Sequence, residues 1–238
     1  MGAMSHSSAP QEPATVPRAA RDHGTDGWAL VLPLKPLAVA KSRLTDYAGP
    51  LRPGLALAFA KDTVAAALRC PAVERLLVVT DDPAAREALA ALGALVVPDA
   101  PGSGLNAALA HGAALLREAR PEAPVGALSA DLPALRPAEL GRVLAAARGP
   151  RRAFLADAAG VGTTLLTAAP GVALRPAFGG ASRERHRASG AREITLPRVD
   201  SVRRDVDTGD DLRQAWLLGV GPCTRAAAAP LTVDGASP

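Results

Sequence analysis

Three cationic side chains and a hydroxyl (Lys35, Lys41, Ser42 and Arg43) fall within nine residues, just after the short apolar run Trp28-Ala-Leu-Val-Leu32. At the mouth of a buried strand such a cluster can grip a triphosphate, whose about four negative charges need several fixed donors. A solvated basic loop would carry the same charge, so residue type matters. Of 27 basic residues only three are lysines, Lys35, Lys41 and Lys61, in a chain that otherwise uses arginine. Lysine is a compact point charge that follows phosphate oxygens where a planar guanidinium fork does not fit. Two of those three lie within one seven-residue stretch, which marks the segment. It is not a Walker loop, because Gly-x-x-x-x-Gly-Lys-Ser/Thr is absent.

Carboxylates supply the complementary chemistry. Asp131, in Ala127-Leu-Ser-Ala-Asp131-Leu-Pro133, stands just past an apolar strand, where such sheets present a carboxylate to a metal. A turn or helix cap is the simpler role for it. In Arg204-Asp205-Val206-Asp207-Thr208, strand alternation points Asp205 and Asp207 the same way. Either completes a Mg²⁺ site with Asp131, since magnesium takes few protein carboxylates and fills its octahedron with water and phosphate oxygens. Asp207 would equally make an N-cap for the helix that follows.

Two lookalikes compete. Gly102-Ser-Gly104-Leu-Asn-Ala107 fits the Gly-x-Gly-x-x-Ala fingerprint of a dinucleotide-dependent oxidoreductase. It follows the third strand, however, and no acidic strand end stands about 20 residues later to hold a ribose. We read it as a close-approach loop for base, ribose or phosphate. Ser129 and His186 suggest a hydrolase, but no Gly-x-Ser-x-Gly elbow exists, and His186 in Arg183-Glu-Arg-His186-Arg187 reads as a surface helix residue.

The elements that must position these groups follow from hydrophobic periodicity. Strands are expected at 28–32, 75–80, 94–97 and 125–129. They alternate with helices at 51–69, 83–92, 105–120 and 137–148, the first with Lys61 and Asp62 on its outer side. Four strand–helix units in succession give an α/β, Rossmann-like, mostly parallel sheet covered on both faces. Its ligands belong in the loops after Leu32, Thr80, Val97 and Ser129. After Pro150 the rhythm changes to a small β-rich subregion: strands at 152–156 and 163–167 around a turn, a short helix at 182–189, a strand at 192–196 and a last helix ending at Leu218. Residues 1–26 read as a disordered extension, 27–220 as one domain and 221–238 as a loose tail.

Composition excludes several classes. No window approaches the roughly 18 apolar residues of a membrane span, and no charged segment followed by an apolar run opens the chain. A net charge of +4 with scattered arginines and 3% aromatics argues against nucleic acid. Two cysteines suit reduced thiols and a cytoplasmic location.

Several motifs together resemble one family. They are Leu32-Pro-Leu-Lys-Pro-Leu-Ala-Val-Ala-Lys-Ser-Arg-Leu44, Val79-Thr-Asp-Asp82, Gly104-Leu-Asn106, Ala130-Asp-Leu-Pro133, Phe178-Gly-Gly-Ala-Ser182 with His186, and Asp205-Val-Asp-Thr208. From about Trp28 to Leu218 they are similar to the phosphoenolpyruvate/2-phospho-L-lactate guanylyltransferases of coenzyme F-420 biosynthesis, MobA-like nucleotidyltransferases. The resemblance implies GTP as donor, a phosphorylated three-carbon acid as acceptor, Mg²⁺, and a product handed to a deazaflavin transferase. It implies that Lys35, Lys41, Arg43 and Asp131 are catalytic, and that Asp131 with Asp205 and Asp207 holds the metal. Leu32, Pro33, Leu34, Ser42, Thr80, Pro98, Gly104, Leu105 and Asn106 would face the nucleotide, and Thr163 or Thr164, Gly179 and Ser182 the acceptor. Gly180-Ala181 replaces the Pro-Gly-type turn of many relatives, which bears on the backbone donors at Gly179 and Ser182. Another sugar or cofactor nucleotidyltransferase and a non-catalytic GTP-binding module are the alternatives within this chemistry.

Overall fold

A computed structural model describes residues 27–100 and 102–233. The elements in chain order are β1 (Trp28–Pro33), α1 (Thr45–Ala48), α2 (Arg52–Arg69), β2 (Val73–Val79), α3 (Pro83–Ala90), β3 (Leu95–Val97), α4 (Leu105–Ala119), β4 (Val125–Leu128) and α5 (Pro137–Ala146). There follow β5 (Arg152–Ala156), β6 (Thr163–Ala168), α6 (Ser182–Ala188), β7 (Arg192–Glu193), α7 (Asp200–Arg203), α8 (Gly209–Leu218) and α9 (Pro222–Val233). They build one sheet in the order β3-β2-β1-β4-β6-β5-β7.

β1 is apolar throughout because both its faces are covered, as in a parallel sheet. Leu30 and Leu32 pack with Ala60 and Val64 of α2 and with Leu140 and Val143 of α5. Ala29 and Val31 face the other way, onto Leu109, Ala113 and Leu116 of α4. That helix lies close because it carries Gly112, where a Cβ would come within 2.5 Å of Val31 Cγ2 and 2.9 Å of Val79 Cγ2.

Three features of the topology create a site. β1 pairs in parallel with both β2 and β4, so the chain winds outward in opposite directions from β1 and β4. Their carboxyl ends therefore open a crevice. β6 runs antiparallel to β4, with Leu128 opposite Leu165. The start of β6 thus lies beside the end of β4, and the groups after β1, after β4 and at the head of β6 meet at one edge.

The four expected strand–helix units and the β5–β6 pair all form. Three details differ from expectation. The strand expected over 192–196 pairs only at Arg192 and Glu193, alongside Ala153 and Phe154. Asp62 is not on an outer face: it is 5% exposed, its carboxylate accepting the N–H groups of Cys223 (3.1 Å) and Thr224 (2.7 Å). Those bonds satisfy the start of α9, so the segment expected to be loose beyond Gly221 is a packed helix, with Ala228 buried beside Phe59 and Leu55. The expected extension over 1–26 and the last residues, 234–238, lie outside the described residues.

Asp62→Ala removes both charge-assisted bonds while leaving two buried donors unmet. It should lower unfolding stability by about 2–4 kcal/mol in urea denaturation; an unchanged midpoint would show that α9 docks without the cap.

Candidate active site

The basic loop is shaped by two residues distant from it. Arg52, in the first turn of α2, donates to the carbonyls of Leu37, Ala38 (2.7 Å) and Ala40. Asp82 accepts the Leu37 N–H at 2.8 Å with one oxygen and caps α3 through Ala85 N–H at 3.0 Å with the other. Burial pushes the Asp82 carboxyl upward, but the backbone donors of Ala85, Leu37 and Ala84 outweigh it and leave it below its usual range. Held at both ends, the chain reaches Lys41 in a left-handed conformation, φ 55° and ψ 41°. That costs about 1–2 kcal/mol for a residue with a Cβ. The conformation sends the Lys41 side chain inward and starts a 3₁₀ turn over Ser42–Leu44, which leaves Ser42 and Arg43 outward.

Lys41 Nζ lies between two carboxylates, donating to Asp131 and, at 2.7 Å, to Asp207 Oδ1. Arg43 approaches the other Asp207 oxygen at 3.7 Å. Burial works against the Lys41 ammonium, but the two carboxylates prevail and raise its pKa. Burial likewise opposes ionised Asp207, and Lys41, Arg43 and Lys35 hold it ionised below its usual pKa.

The acidic residues are tied together by backbone. Val206 N–H donates to Asp131 O at 3.1 Å, and Leu132 N–H to the buried Thr63 Oγ1 at 2.9 Å. Val206 is fully buried against Leu55 and Leu212, so Asp205 and Asp207 on either side of it face the cleft, as alternation predicts. The N-cap of α8 is Thr208, in a capping box with Asp211, rather than Asp207, whose carboxylate is left for Lys41.

Two observations test whether this set suits a divalent cation. Asp131 Oδ1 is buried with no hydrogen-bond partner among the described residues. The Asp205 carboxyl is pushed up to about 7 by burial and by the charges of Asp131 and Asp207. Both are what oxygens short of positive charge would display, and the residues fit a hard cation. Among the described residues no three metal-ligating side chains converge into a preformed cage.

A cleft of about 740 Å³ joins these groups. Of the residues singled out from sequence, Pro33, Leu34, Lys35, Lys41, Ser42, Arg43, Leu105, Asp131, Thr163, Gly179, Ser182, Asp205 and Asp207 line it. Leu32, Thr80, Pro98, Gly104, Asn106 and Thr164 lie outside that lining. Leu32 and Thr80 are fully buried. Asn106 exchanges two bonds with the Phe178 backbone, at 2.7 and 3.1 Å. Thr163 faces the cleft, whereas the Thr164 hydroxyl is buried without a partner among the described residues.

His186 is not a surface residue: it is 0% exposed and hydrogen-bonded to Thr163. Its arginine-rich neighbourhood concealed that one face of this short helix is core. Asp157, in the turn expected between β5 and β6, also lines the cleft; it accepts the N–H groups of Val161 (2.9 Å) and Gly162 (2.7 Å), folding the turn that brings Thr163 to the rim. Asp157-Ala-Ala-Gly160 carried that signal, since Asp and Gly favour such turns.

A crevice at the strand switch point, walled by lysines and carboxylates, is the arrangement of a nucleotidyltransferase. A family model for the MobA-like NTP transferase domain matches residues 58–200. A phosphoenolpyruvate guanylyltransferase of Streptomyces coelicolor is 70% identical over 209 residues, covering 87% of this chain and 99% of that protein. One from Thermomonospora curvata is 66% identical, over 85% of this chain and 89% of its own length. This chain belongs to that family, the MobA-like nucleotidyltransferases named phosphoenolpyruvate guanylyltransferases. The fold is shared more widely. A solved structure described as a nucleotide-diphospho-sugar transferase, from Desulfovibrio desulfuricans G20, superposes with a TM-score of 0.63 at 18% identity, covering 87% of this chain and 94% of that one. A 4-diphosphocytidyl-2C-methyl-D-erythritol synthase gives 0.56 at 16%, over 81% and 99%. Among the described residues no helix is long and apolar enough to cross a membrane.

The carboxylate cluster makes metal-free stability depend on pH. The folded chain holds Asp205 protonated to about pH 7, against 3.8 for a free carboxyl. The unfolded chain therefore binds fewer protons between those values, and stability falls as pH rises through them. Asp205→Asn should melt higher than the wild type at pH 8 in the presence of chelator, the two melting temperatures converging below about pH 4. A gap independent of pH would place the effect elsewhere.

Proposed function

We propose that this chain transfers GMP from GTP to phosphoenolpyruvate, releasing pyrophosphate and forming enolpyruvyl-diphospho-guanosine. The observation that carries this reading is Lys41 bridging Asp131 and Asp207 at the switch point, in a chain 70% identical to a guanylyltransferase of that name. An oxygen of the acceptor phosphate attacks the α-phosphorus in line, a P–O bond forms, and the bond to the β-phosphate oxygen breaks with pyrophosphate as leaving group. The acceptor phosphate is already ionised near neutral pH, so no general base is required. Catalysis is alignment and charge neutralisation.

Lys35, Lys41 and Arg43 face the phosphates of the donor, with Ser42 beside them and Pro33, Leu34 and Leu105 along the nucleoside. Thr163, Ser182 and the Gly179 backbone receive the carboxylate and phosphate of the acceptor. Asp131, with Asp205 or Asp207, would hold a divalent cation, for which we favour Mg²⁺. When bound, such an ion neutralises charge developing on the phosphate oxygens. The residues outside the cleft act through others: Asn106 secures Phe178, next to Gly179, rather than the base. The unstable diphosphate product implies a partner enzyme that consumes it, which fits a deazaflavin transferase of coenzyme F-420 biosynthesis and a cytoplasmic setting.

The test is pyrophosphate release from GTP with phosphoenolpyruvate, 2-phospho-L-lactate or no acid, with the consuming transferase added. Turnover should require the acid and be fastest with phosphoenolpyruvate. Release with neither acid would reject the reading, as would tight NADH binding without GTP binding. Asp131→Asn should lower kcat/KM by about 10³-fold or more while the far-UV circular dichroism of the native fold is retained, even where the melting temperature falls. Lys41→Arg should lose at least about 10²-fold, because a longer planar cation cannot take one compact position between two carboxylates. A wild-type rate in that variant would mean that charge alone matters there.

A further inference from the structure

His186 makes two hydrogen bonds of opposite sense. Its Nε2 lies 3.0 Å from the N–H of Ala177 and accepts it. Its Nδ1 lies 2.9 Å from Thr163 Oγ1. A neutral imidazole carries one N–H, and Nε2 is occupied as an acceptor, so Nδ1 holds the hydrogen and donates it to Thr163. The tautomer follows from this network. Two rings pack against the imidazole, Phe178 edge-on at 5.1 Å and Phe154 tilted at 5.8 Å, and help hold its orientation. Burial, reinforced by Arg152 and Arg185, lowers its pKa to about 4, so the neutral form persists at physiological pH. With both nitrogens engaged inside the protein, the imidazole has no lone pair to offer a substrate.

The consequence falls on Thr163. A hydroxyl has one hydrogen, and one of its lone pairs is taken by the His186 N–H. Its own hydrogen must turn away from the ring, and Thr163 lines the cleft with Gly179 and Ser182. Without that N–H the hydroxyl is free to donate toward residue 186 and turn a lone pair to the cleft, which would repel an anionic oxygen. The same ring also holds the Ala177 peptide, two residues before Gly179.

We propose that His186 is a positioning residue for the acceptor: it fixes the Thr163 hydroxyl as a hydrogen-bond donor facing the cleft and anchors the loop that carries the Gly179 backbone. This rests on the reading of Thr163 as an acceptor contact. It distinguishes the acid half of the site, which depends on His186, from the nucleotide half, which does not.

The amide of asparagine reproduces the Nδ1 end of histidine and that of glutamine the Nε2 end, so the two variants separate the two bonds. Pyrophosphate release is measured while GTP and phosphoenolpyruvate are varied independently. His186→Gln should raise KM for the acid at least about tenfold, the loss of one hydrogen bond to a charged group, leaving KM for GTP within about twofold. His186→Asn, keeping the donor toward Thr163, should recover most of that loss. In a Thr163→Val background, His186→Gln should add little further. Equal rises in both KM values, or full additivity with Thr163→Val, would overturn the proposal. Imidazole nitrogen NMR of the intact wild type gives a readout independent of turnover: a protonated Nδ1 supports the proposal and a protonated Nε2 overturns it. Wild-type turnover with phosphoenolpyruvate separately tests the functional reading. If another phospho-acid is the substrate, the same variants are scored on that acid.

Discussion

A lysine ammonium held between two aspartates organises this site. Lys41 and Asp131 are largely withdrawn from water, 13% and 21% exposed, and the carboxylates of Asp131 and Asp207 outweigh burial to keep the ammonium charged. Removing one partner of such a pair leaves a buried charge uncompensated, which costs about 3–5 kcal/mol. The same contact compensates the left-handed backbone at Lys41, with Arg52 and Asp82 bracing the loop. Asp205 is buried, with two like charges nearby and no ammonium of its own, and so is reluctant to ionise. The unpartnered Oδ1 of Asp131 and the raised pKa of Asp205 go together: three carboxylates crowd a site where one buried ammonium reaches only two of them.

That arrangement shows how the fold divides its labour. The parallel half supplies the basic loop and Asp131, on either side of the switch between β1 and β4. The antiparallel addition, β6 beside β4, brings Thr163 to the same edge, although 35 residues separate Leu128 from Thr163 in the chain. A polyphosphate requires cations, and a small phospho-acid requires hydroxyl and backbone donors. The two requirements are met by different halves of the sheet. The nucleotide side is held by ion pairs, the acid side by hydrogen bonds through His186, Asn106 and Asp157.

Much of this was legible because the strongest sequence signals are local. The continuous apolar runs of β1, β2 and β4 marked buried strands, and lysine scarcity marked the loop. Asp205-Val206-Asp207 placed two carboxylates on one side because period-2 alternation needs only an extended backbone, which this segment keeps without joining the sheet. The remainder depended on contacts between distant segments. Nothing near Asp62 shows that α9 will dock its amides there, and nothing near Arg52 shows that its guanidinium will gather the carbonyls of 37–40. His186 misled because three arginines crowd its short helix, and the periodicity of seven residues is too brief to reveal a buried face. Choosing between Thr163 and Thr164 required knowing which face of β6 met the cleft, which a register irregularity beside Ala156 helps to set.

The hydrogen bond from Val206 to Asp131 has a further implication for how the molecule comes into being. Lys41 finds Asp131 across 90 residues and Asp207 across 166. Loop closure over such spans is costly before the packing that rewards it exists. The apolar strands and helices up to α5 have many of their core partners early in the chain, whereas Val206 and Leu212 come well after α5. During synthesis the doubly wound half can collapse while Lys41 still lacks Asp207. The reactive centre is therefore completed only after the doubly wound half has emerged, so the scaffold precedes the chemistry it carries.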